Sequence, residues 1–125
     1  MSSKIKESST NYRNLRVLSE ACEINDVLKK ISPRWKMIIL YDIANGYFQF
    51  SKLKAKLPGI SDQILGKRLR ELEEDGCISR ISDSSTVPIQ THYKVTAKGD
   101  ALLEIMIQLH QWGLIWENPD SSPVR

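Results

Sequence analysis

The stretch from Phe50 to Gly76 constrains the fold of this 125-residue chain more than any other, because it reads as two helices separated by a tight break. Pro58 and Gly59 end the first, short helix, and Ser61 is placed to cap the longer helix that follows. Gly76 is the expected left-handed stop of that second helix. This order is typical of a helix-turn-helix, in which the first helix braces the second and the second presents one polar face.

The second helix of the motif has an inward and an outward face. Its leucines recur at i, i+4 and i+7 from Leu65, so Leu65 marks the inward direction. A rotation of about 100° per residue then places Gln63, Lys67, Arg70 and Glu74 on the opposite face, with Gly66 beside them. The helix ends in an acidic cluster. The first two-thirds of the outward face are basic and suit a DNA groove. The alternative is that this face is only solvated.

The elements before the motif are read from periodicity and capping residues. Apolar positions at helical spacing predict a first helix over residues 12–31. Ser32 with Pro33 predicts the start of a second helix, which we place centrally in the core. Residues 47–50 alternate as a short strand would, and Ser51 is expected to cap the helix after it.

The elements after the motif predict a hairpin and a final helix. Two β-rich runs, residues 77–82 and 91–95, are joined by a polar loop, and a hairpin directly after a helix-turn-helix is a wing. Thr96 is expected to cap the last helix. The expected organisation is a disordered segment at residues 1–10, one winged helix-turn-helix domain at 11–116 and a loose tail at 117–125.

The last helix carries two apolar stripes. One comprises Leu102, Ile105, Met106, Leu109, Trp112 and Trp116. The second lies about 100° away and comprises Leu103, Ile107, His110 and Leu114. A helix on the outside of a small domain needs one stripe, so the second indicates a further surface to bury. A second copy of the chain is the simplest candidate for covering it.

Composition favours an ordinary globular protein. Hydrophobic residues make up 41%, charged residues 26%, and the net charge is +3, which permits nucleic acid as a partner. The longest apolar run, from Met37 to Tyr41, is too short to span a membrane, and the N-terminus lacks the pattern of a signal peptide. We therefore expect a cytoplasmic protein without membrane contact, in which Cys22 and Cys77 stay reduced. The spacing of Cys and His gives no metal site, no cofactor motif is present, and nothing resembles an enzyme active site.

With these residues in place, the chain resembles the HxlR family of bacterial winged-helix transcriptional regulators. The resemblance covers roughly residues 21–113 and rests on Cys22 thirteen positions before Trp35, together with RWKMIIL, FSKL, LPGIS, LGKRLRELEEDG, HYKVTAKG and QWG. It implies a mainly α fold with a small β-hairpin wing (α+β), dimerising through its N- and C-terminal helices. The expected dimer residues are Tyr12, Leu15, Leu103, Ile107, His110 and Leu114.

The resemblance also implies that the second helix of the motif enters the major groove of double-stranded DNA and that the hairpin acts as a wing. The candidate DNA contacts are Ser51, Lys52, Ser61, Asp62, Gln63, Gly66, Lys67, Arg70, Arg80 and Lys94. Asp62 has an alternative role, which we favour, as first-turn charge against the helix dipole. Arg80 and Lys94 have an alternative role as surface charges of the strands.

Cys22 is a candidate redox sensor only through the resemblance, since in some family members the N-terminal Cys senses electrophiles or oxidants. The alternative is a small buried hydrophobe on the apolar face of the first helix. This chain has Glu23 where the family commonly has Pro. An adjacent carboxylate disfavours the thiolate, which is the reactive form.

These observations predict a homodimeric regulator, with repression the favoured mode, that binds an inverted-repeat operator and has a small-molecule or oxidant effector as a candidate further partner. The alternative is a winged-helix module that binds only proteins, because fold does not fix function.

Overall fold

The computed structural model describes the backbone of residues 2–117 and the side chains of residues 13 and 15–117. The elements are α1 (Ser2–Ile31), α2 (Lys36–Ala44), α3 (Phe50–Lys56), α4 (Asp62–Glu74), β1 (Ile78–Asp83), β2 (Gln90–Val95) and α5 (Ala97–Trp116). The chain divides into two compact units between Arg34 and Trp35. The first unit contains α1, and the second contains all the other elements.

The first unit is one continuous helix of 30 residues. The sequence predicted its start at Tyr12 and disorder over residues 1–10, whereas α1 begins at Ser2. No Pro or Gly occurs between Ser2 and Ile31, so nothing in the segment blocks helical backbone. The tail predicted after Trp116 lies outside the described residues from position 118 onward. Among the described helices, none is long and apolar enough to cross a membrane.

The second helix begins later than the sequence predicted. Trp35 has φ 78°, a left-handed conformation, and α2 starts at the following residue. A left-handed residue interrupts a right-handed helix, so Ser32 and Pro33 do not open α2 as expected. The predicted end is confirmed, because Asn45 caps α2 and Gly46 follows with φ 103°.

The short strand predicted at residues 47–50 is wrong. Phe48 accepts one backbone hydrogen bond from the Tyr93 amide of β2, at 2.9 Å, and no strand is assigned there. The chain turns into α3 immediately afterwards, since Gln49 is its N-cap and Phe50 its first residue. Ser51 therefore lies within the first turn of α3, and its expected capping role is also wrong.

The core of the second unit is aliphatic. Its largest fully buried side chains are Ile39, Leu40, Leu53, Leu65 and Leu72. Burial of each such side chain contributes about 1.5–3 kcal/mol. The inward spacing of the α4 leucines is confirmed, and α2 packs against α4 and β2. The helix-turn-helix therefore packs against α2, with the α4 leucines facing inward as their spacing predicted.

The start of α5 is packed tightly against the junction of α4 and β1. Thr96 caps α5 by accepting from the Gly99 amide at 3.2 Å, and its hydroxyl donates to the Gly76 carbonyl at 2.6 Å. A Cβ at Gly99 would lie 2.2 Å from the Cys77 carbonyl oxygen. Only glycine permits this approach, which ties α5 to the end of the helix-turn-helix.

Candidate nucleic-acid interface

The turn and cap of the helix-turn-helix are as the sequence predicted. Gly59 has φ 92°, which a glycine adopts without strain, and Ile60 is buried as the hydrophobic anchor. The Ser61 hydroxyl accepts from the Ile64 amide at 3.1 Å, satisfying one unpaired donor at the start of α4. The helix therefore begins at a fixed point on the surface.

The outward face of α4 is exposed. Gln63, Lys67 and Arg70 are exposed, while the leucines of the same helix are buried. Gly66 is half-buried, and the nearest atom to a Cβ placed there is Arg70 Nη1 at 3.5 Å. The face is thus free of bulk at its centre and carries two exposed cations, while a role in DNA contact stays a prediction.

The acidic end of α4 is held by the protein's own cations. Lys36 Nζ lies 2.7 Å from Asp75 Oδ2, and Lys98 Nζ donates to the Asp75 carbonyl. One turn earlier, the Arg68 guanidinium donates to both carboxylate oxygens of Glu71, at 3.0 and 3.2 Å. These contacts pair Asp75 and Glu71 with cations of the protein, whereas Glu73 and Glu74 at the same end are exposed.

The front end of α4 is bridged by a lysine from α3. Lys54 Nζ lies 3.3 Å from Asp62 Oδ1 and also donates to the main-chain carbonyl of Ile60. Asp62, a candidate DNA contact, is therefore engaged in an ion pair within the protein. This agrees with its alternative reading as first-turn charge.

Lys52 lies near an aromatic contact between Phe48, which precedes α3, and His92 of the wing. Its Nζ is 5.5 Å from the centroid of the Phe48 ring, and that ring is 5.3 Å from the His92 ring, tilted by 33°. An ammonium above an aromatic face is attracted to it. Lys52 is exposed, so it stays a candidate for phosphate contact, whereas Ser51 is exposed in the same turn without a capping role.

The two wing cations lie on opposite faces of the hairpin. Arg80 pairs with Tyr93, and Lys94 pairs with Ser79 in the adjacent position of the ladder. Residues in adjacent ladder positions point to opposite faces of a sheet. Lys94 therefore shares a face with His92, and Arg80 shares one with Tyr93. Burial raises the pKa of the Tyr93 hydroxyl, while the nearby Arg80 charge lowers it. Arg80 and Lys94 are both exposed, but the hairpin does not bring them to one surface.

The structure corrects one predicted dimer residue. Leu103 is 7% exposed and belongs to the core of its own domain, because the inward face of α5 runs through Gly99, Leu103 and the half-buried Met106. In the first half of α5, the core therefore covers residues of both predicted stripes, so neither stripe is exposed along its whole length. His110 is exposed, and Ile107 and Leu114 are 46% and 51% exposed, so the second half of α5 remains apolar at the surface.

The predicted contribution of α1 to a dimer is in part outside the described side chains. The side chain of Tyr12 is one of those not described. Leu15 is 60% exposed. Further exposed apolar residues of α1 are Val17, Leu18, Ile24, Val27 and Leu28.

The two cysteines differ in access. Cys22 is exposed in α1, which contradicts the reading of a buried hydrophobe, and Cys77 is buried. Burial raises the pKa of the Cys77 thiol, with Lys98 opposing that shift. Within the described part of the chain, no group of three or more His, Cys, Asp or Glu side chains is arranged to hold a metal ion.

Sequence reasoning missed the two lysines that anchor α4. Lys36 lies at i, i+3, i+4 and i+7 with Ile39, Leu40 and Ile43, so helical spacing carried a signal that it points inward. Lys54 gave no such signal, because its partners follow the turn and depend on how α3 and α4 meet.

Comparison with known proteins agrees with this architecture. The HxlR-like helix-turn-helix family model matches residues 30–121, more than half of the chain. The uncharacterized HTH-type transcriptional regulator YvaP of Bacillus subtilis is 34% identical over 102 residues, covering 81% of this chain and 94% of the relative. YtfH of Escherichia coli, described in the same words, is 32% identical over 104 residues, covering 83% and 82%.

Among solved structures, the redox regulator HypR in its oxidized form is similar. It aligns with a TM-score of 0.67 and 33% identity, covering 74% of this chain and 94% of the HypR chain. The fold, the family model and the relatives indicate the same family as the sequence motifs that lie in α2 to α5. The chain therefore belongs to the HxlR family of winged helix-turn-helix transcriptional regulators.

Proposed function

We propose that the protein is a homodimeric regulator that binds an inverted-repeat operator through the outward face of α4. The observation that carries this proposal is the exposure of Gln63, Lys67 and Arg70 on a helix whose two ends are anchored by other elements. A rigidly placed helix allows phosphate contacts to set the register and base-edge contacts to read sequence. Lys67 supplies the phosphate contact in this proposal, and Gln63 and Arg70 read bases.

The exposed apolar surface supports pairing with a second copy. The second half of α5 exposes Leu109, Trp112 and Trp116, and α2 and α5 border an open apolar groove of about 560 Å³. Scattered apolar residues need no explanation, but a contiguous patch of this kind marks an interaction surface. In a two-fold dimer, the two α4 helices enter successive major grooves about 34 Å apart. The dimer residues we propose are Leu15, Ile107, His110 and Leu114.

The experiment measures the affinity of the Lys67→Ala/Arg70→Ala variant for a duplex selected by the parent protein from a random pool. Both residues are exposed, so the variant folds, while its affinity falls by at least tenfold and its salt dependence weakens. Lys29→Ala/Lys30→Ala removes two cations from α1 and serves as the charge-matched control. Equal losses of affinity in the two variants would show that α4 contributes only its net charge to binding. A parent that selects no duplex would favour the protein-interaction alternative.

Dimerisation is tested separately on α5. Ile107→Glu with Leu114→Glu places two charges on the exposed stripe and is expected to give monomers in sedimentation velocity. Gln108→Glu with Gln111→Glu, which adds two charges at exposed polar positions of the same helix, is the charge-matched control. A persistent dimer in the charged variant would assign the interface to another surface.

Repression follows in this proposal when the operator overlaps a promoter, and Cys22 is the candidate switch. Its exposure in α1 and the similarity to HypR, described as a redox regulator, support this role. DNA affinity of the parent is expected to change on treatment with diamide, while Cys22→Ser is unresponsive. Identical responses in both proteins would eliminate Cys22 as the switch.

A further inference from the structure

Lys54 makes two contacts that both lie at the start of α4. Its ammonium donates to the Ile60 carbonyl, in the turn, and lies 3.3 Å from Asp62 Oδ1, in the first turn of the helix. Ile60 is itself anchored in the core, and its amide donates to the Leu57 carbonyl at 3.2 Å. One side chain of α3 thus joins the turn and the second helix at a point fixed by the core.

The Lys54 ammonium is oriented differently from its neighbours on α3. Lys52 and Lys56 lie 5.5 and 5.2 Å from the ring centroids of Phe48 and Tyr47, and both are exposed. The Lys54 side chain is 40% exposed, and its ammonium is directed to two oxygen acceptors of the protein. Lys52, Lys54 and Lys56 occupy alternate positions in the sequence, but only Lys54 is directed to oxygen acceptors of the protein.

Asp62 requires a partner if α4 binds DNA. A carboxylate in the first turn is favourable for the helix dipole, but it repels phosphates within a Debye length of about 10 Å. The Asp62 side chain is 76% exposed, so its charge is accessible to a strand that approaches the start of α4. Pairing with Lys54 cancels its charge while leaving it near the helix N-terminus.

We propose that Lys54 is a positioning residue for DNA recognition, which fixes the start of α4 through the Ile60 carbonyl and neutralises Asp62, and that it does not itself contact phosphate. This inference rests on the proposed function and adds to it. Asp62 is accordingly not a DNA contact in this proposal, because Lys54 engages its carboxylate.

The dependence of affinity on salt separates positioning from phosphate contact. Each phosphate neutralised by a protein cation contributes about 0.9 to the slope of log affinity against log salt on duplex DNA. The Lys54→Met/Asp62→Asn variant removes one charge of each sign, so the net charge at the start of α4 is the same as in the parent. Lys52→Met removes the candidate phosphate contact of α3, the helix that carries Lys54, and supplies the reference for a lost contact.

The measurement is fluorescence anisotropy on a duplex selected by the parent protein, at salt concentrations between about 50 and 200 mM. For Lys54→Met/Asp62→Asn we expect about a fivefold loss of affinity, owing to the freed helix start, with the slope of the parent. For Lys52→Met we expect the slope to fall by about 0.9. Lys54→Arg retains a cation within reach of both acceptors and is expected to recover most of the affinity.

Two results overturn the inference while leaving the proposed function intact. A slope lowered by about 0.9 in the Lys54→Met/Asp62→Asn variant assigns Lys54 to a phosphate. Unchanged affinity and slope show that the bridge has no part in recognition. Circular dichroism and the urea midpoint verify folding, and if the double variant is unfolded, Lys54→Gln, which keeps a donor for the Ile60 carbonyl, is titrated in its place: the slope of the parent retains the inference, and a slope lowered by about 0.9 overturns it. A parent that selects no duplex overturns the proposed function itself and this inference with it.

Discussion

Lys36 and Asp75 form an ion pair, 2.7 Å between Nζ and Oδ2, that links the first residue of α2 to the cap of α4. The Lys36 side chain is 5% exposed and that of Asp75 is 23% exposed. The burial is therefore unequal, and the cation depends on the pair more than the carboxylate does. This inequality gives the order in which the two single substitutions should destabilise the protein.

We expect Asp75→Asn to be more destabilising than Lys36→Met. Removing the carboxylate leaves a buried ammonium without its charge partner, which costs about 3–5 kcal/mol. Removing the ammonium leaves a carboxylate that water reaches in part, which costs about 1–3 kcal/mol. Urea denaturation of both variants measures the difference, and Glu74→Gln, on the exposed side of α4, is the control. The reverse order would mean that the Lys36 ammonium finds another acceptor or water when the Asp75 carboxylate is lost.

Gly99→Ala should destabilise the protein by about 1–3 kcal/mol, the cost of overpacking a closed site. A Cβ there would lie 2.2 Å from the Cys77 carbonyl oxygen and 2.7 Å from Val95 Cγ1, so α5 must shift away from the Cys77 main chain and from the end of β2. The urea midpoint reports this loss. Gly113→Ala, on the same helix with no atom within 4 Å of the added Cβ, serves as the control and is expected to be stabilising.

Gly66→Ala should have opposite effects on stability and on binding. The site is helical and open, so alanine stabilises the fold by about 0.5–1 kcal/mol. If the outward face of α4 meets a DNA strand as proposed, the added methyl group weakens affinity. Urea denaturation and duplex titration of the same preparation measure both quantities. A variant that is more stable and binds equally well would show that no strand approaches Gly66.

Asp42 gives the stability a specific dependence on pH. It is 3% exposed, its Oδ2 has no hydrogen-bond partner among the described residues, and burial raises its pKa above 3.8 while Lys56 acts to lower it. The folded state therefore binds this proton more tightly than the unfolded state. Consequently the carboxyl group destabilises the fold as pH rises from 3.8 through its raised pKa. Asp42→Asn lacks this titration.

The measurement for Asp42 is the difference in unfolding free energy between Asp42→Asn and the parent as a function of pH. We expect the difference to favour the variant increasingly as pH rises above 3.8 and to level off above the raised pKa. Asp83→Asn provides the opposite sign, because hydrogen bonds from Ser85 lower the Asp83 pKa. That stabilisation is present above 3.8 in the parent and is lost as pH falls through the lowered pKa. A flat difference for Asp42→Asn would contradict the burial of its charge.

Local signals in the sequence predicted the helix-turn-helix well. Ser61, Gly59 and Gly76 act through their own backbone or through neighbours three residues away, so their roles follow from local chemistry. The leucine spacing of α4 predicted its buried face for the same reason. Thr96 and the two wing strands were predicted on equally local grounds.

The errors occurred where tertiary packing decided the outcome. Ser32 and Pro33 form a good helix start, but the left-handed Trp35 moved the start of α2. Leu103 was assigned to a partner because periodicity shows that a helix has two apolar stripes without showing how far the core extends along it. Lys54 and its partners lie on either side of a turn, so only their arrangement in space reveals the ion pair.

The anchoring of α4 at both ends separates the stability of this protein from its proposed choice of DNA. Lys54 and Ser61 fix the front of the helix, and Lys36 fixes its rear. The exposed Gln63, Lys67 and Arg70 take no part in these anchors. If α4 binds DNA as proposed, mutations at those three positions change the operator without a cost in folding, so descendants of this protein can exchange the reading face of α4 while the scaffold is inherited intact.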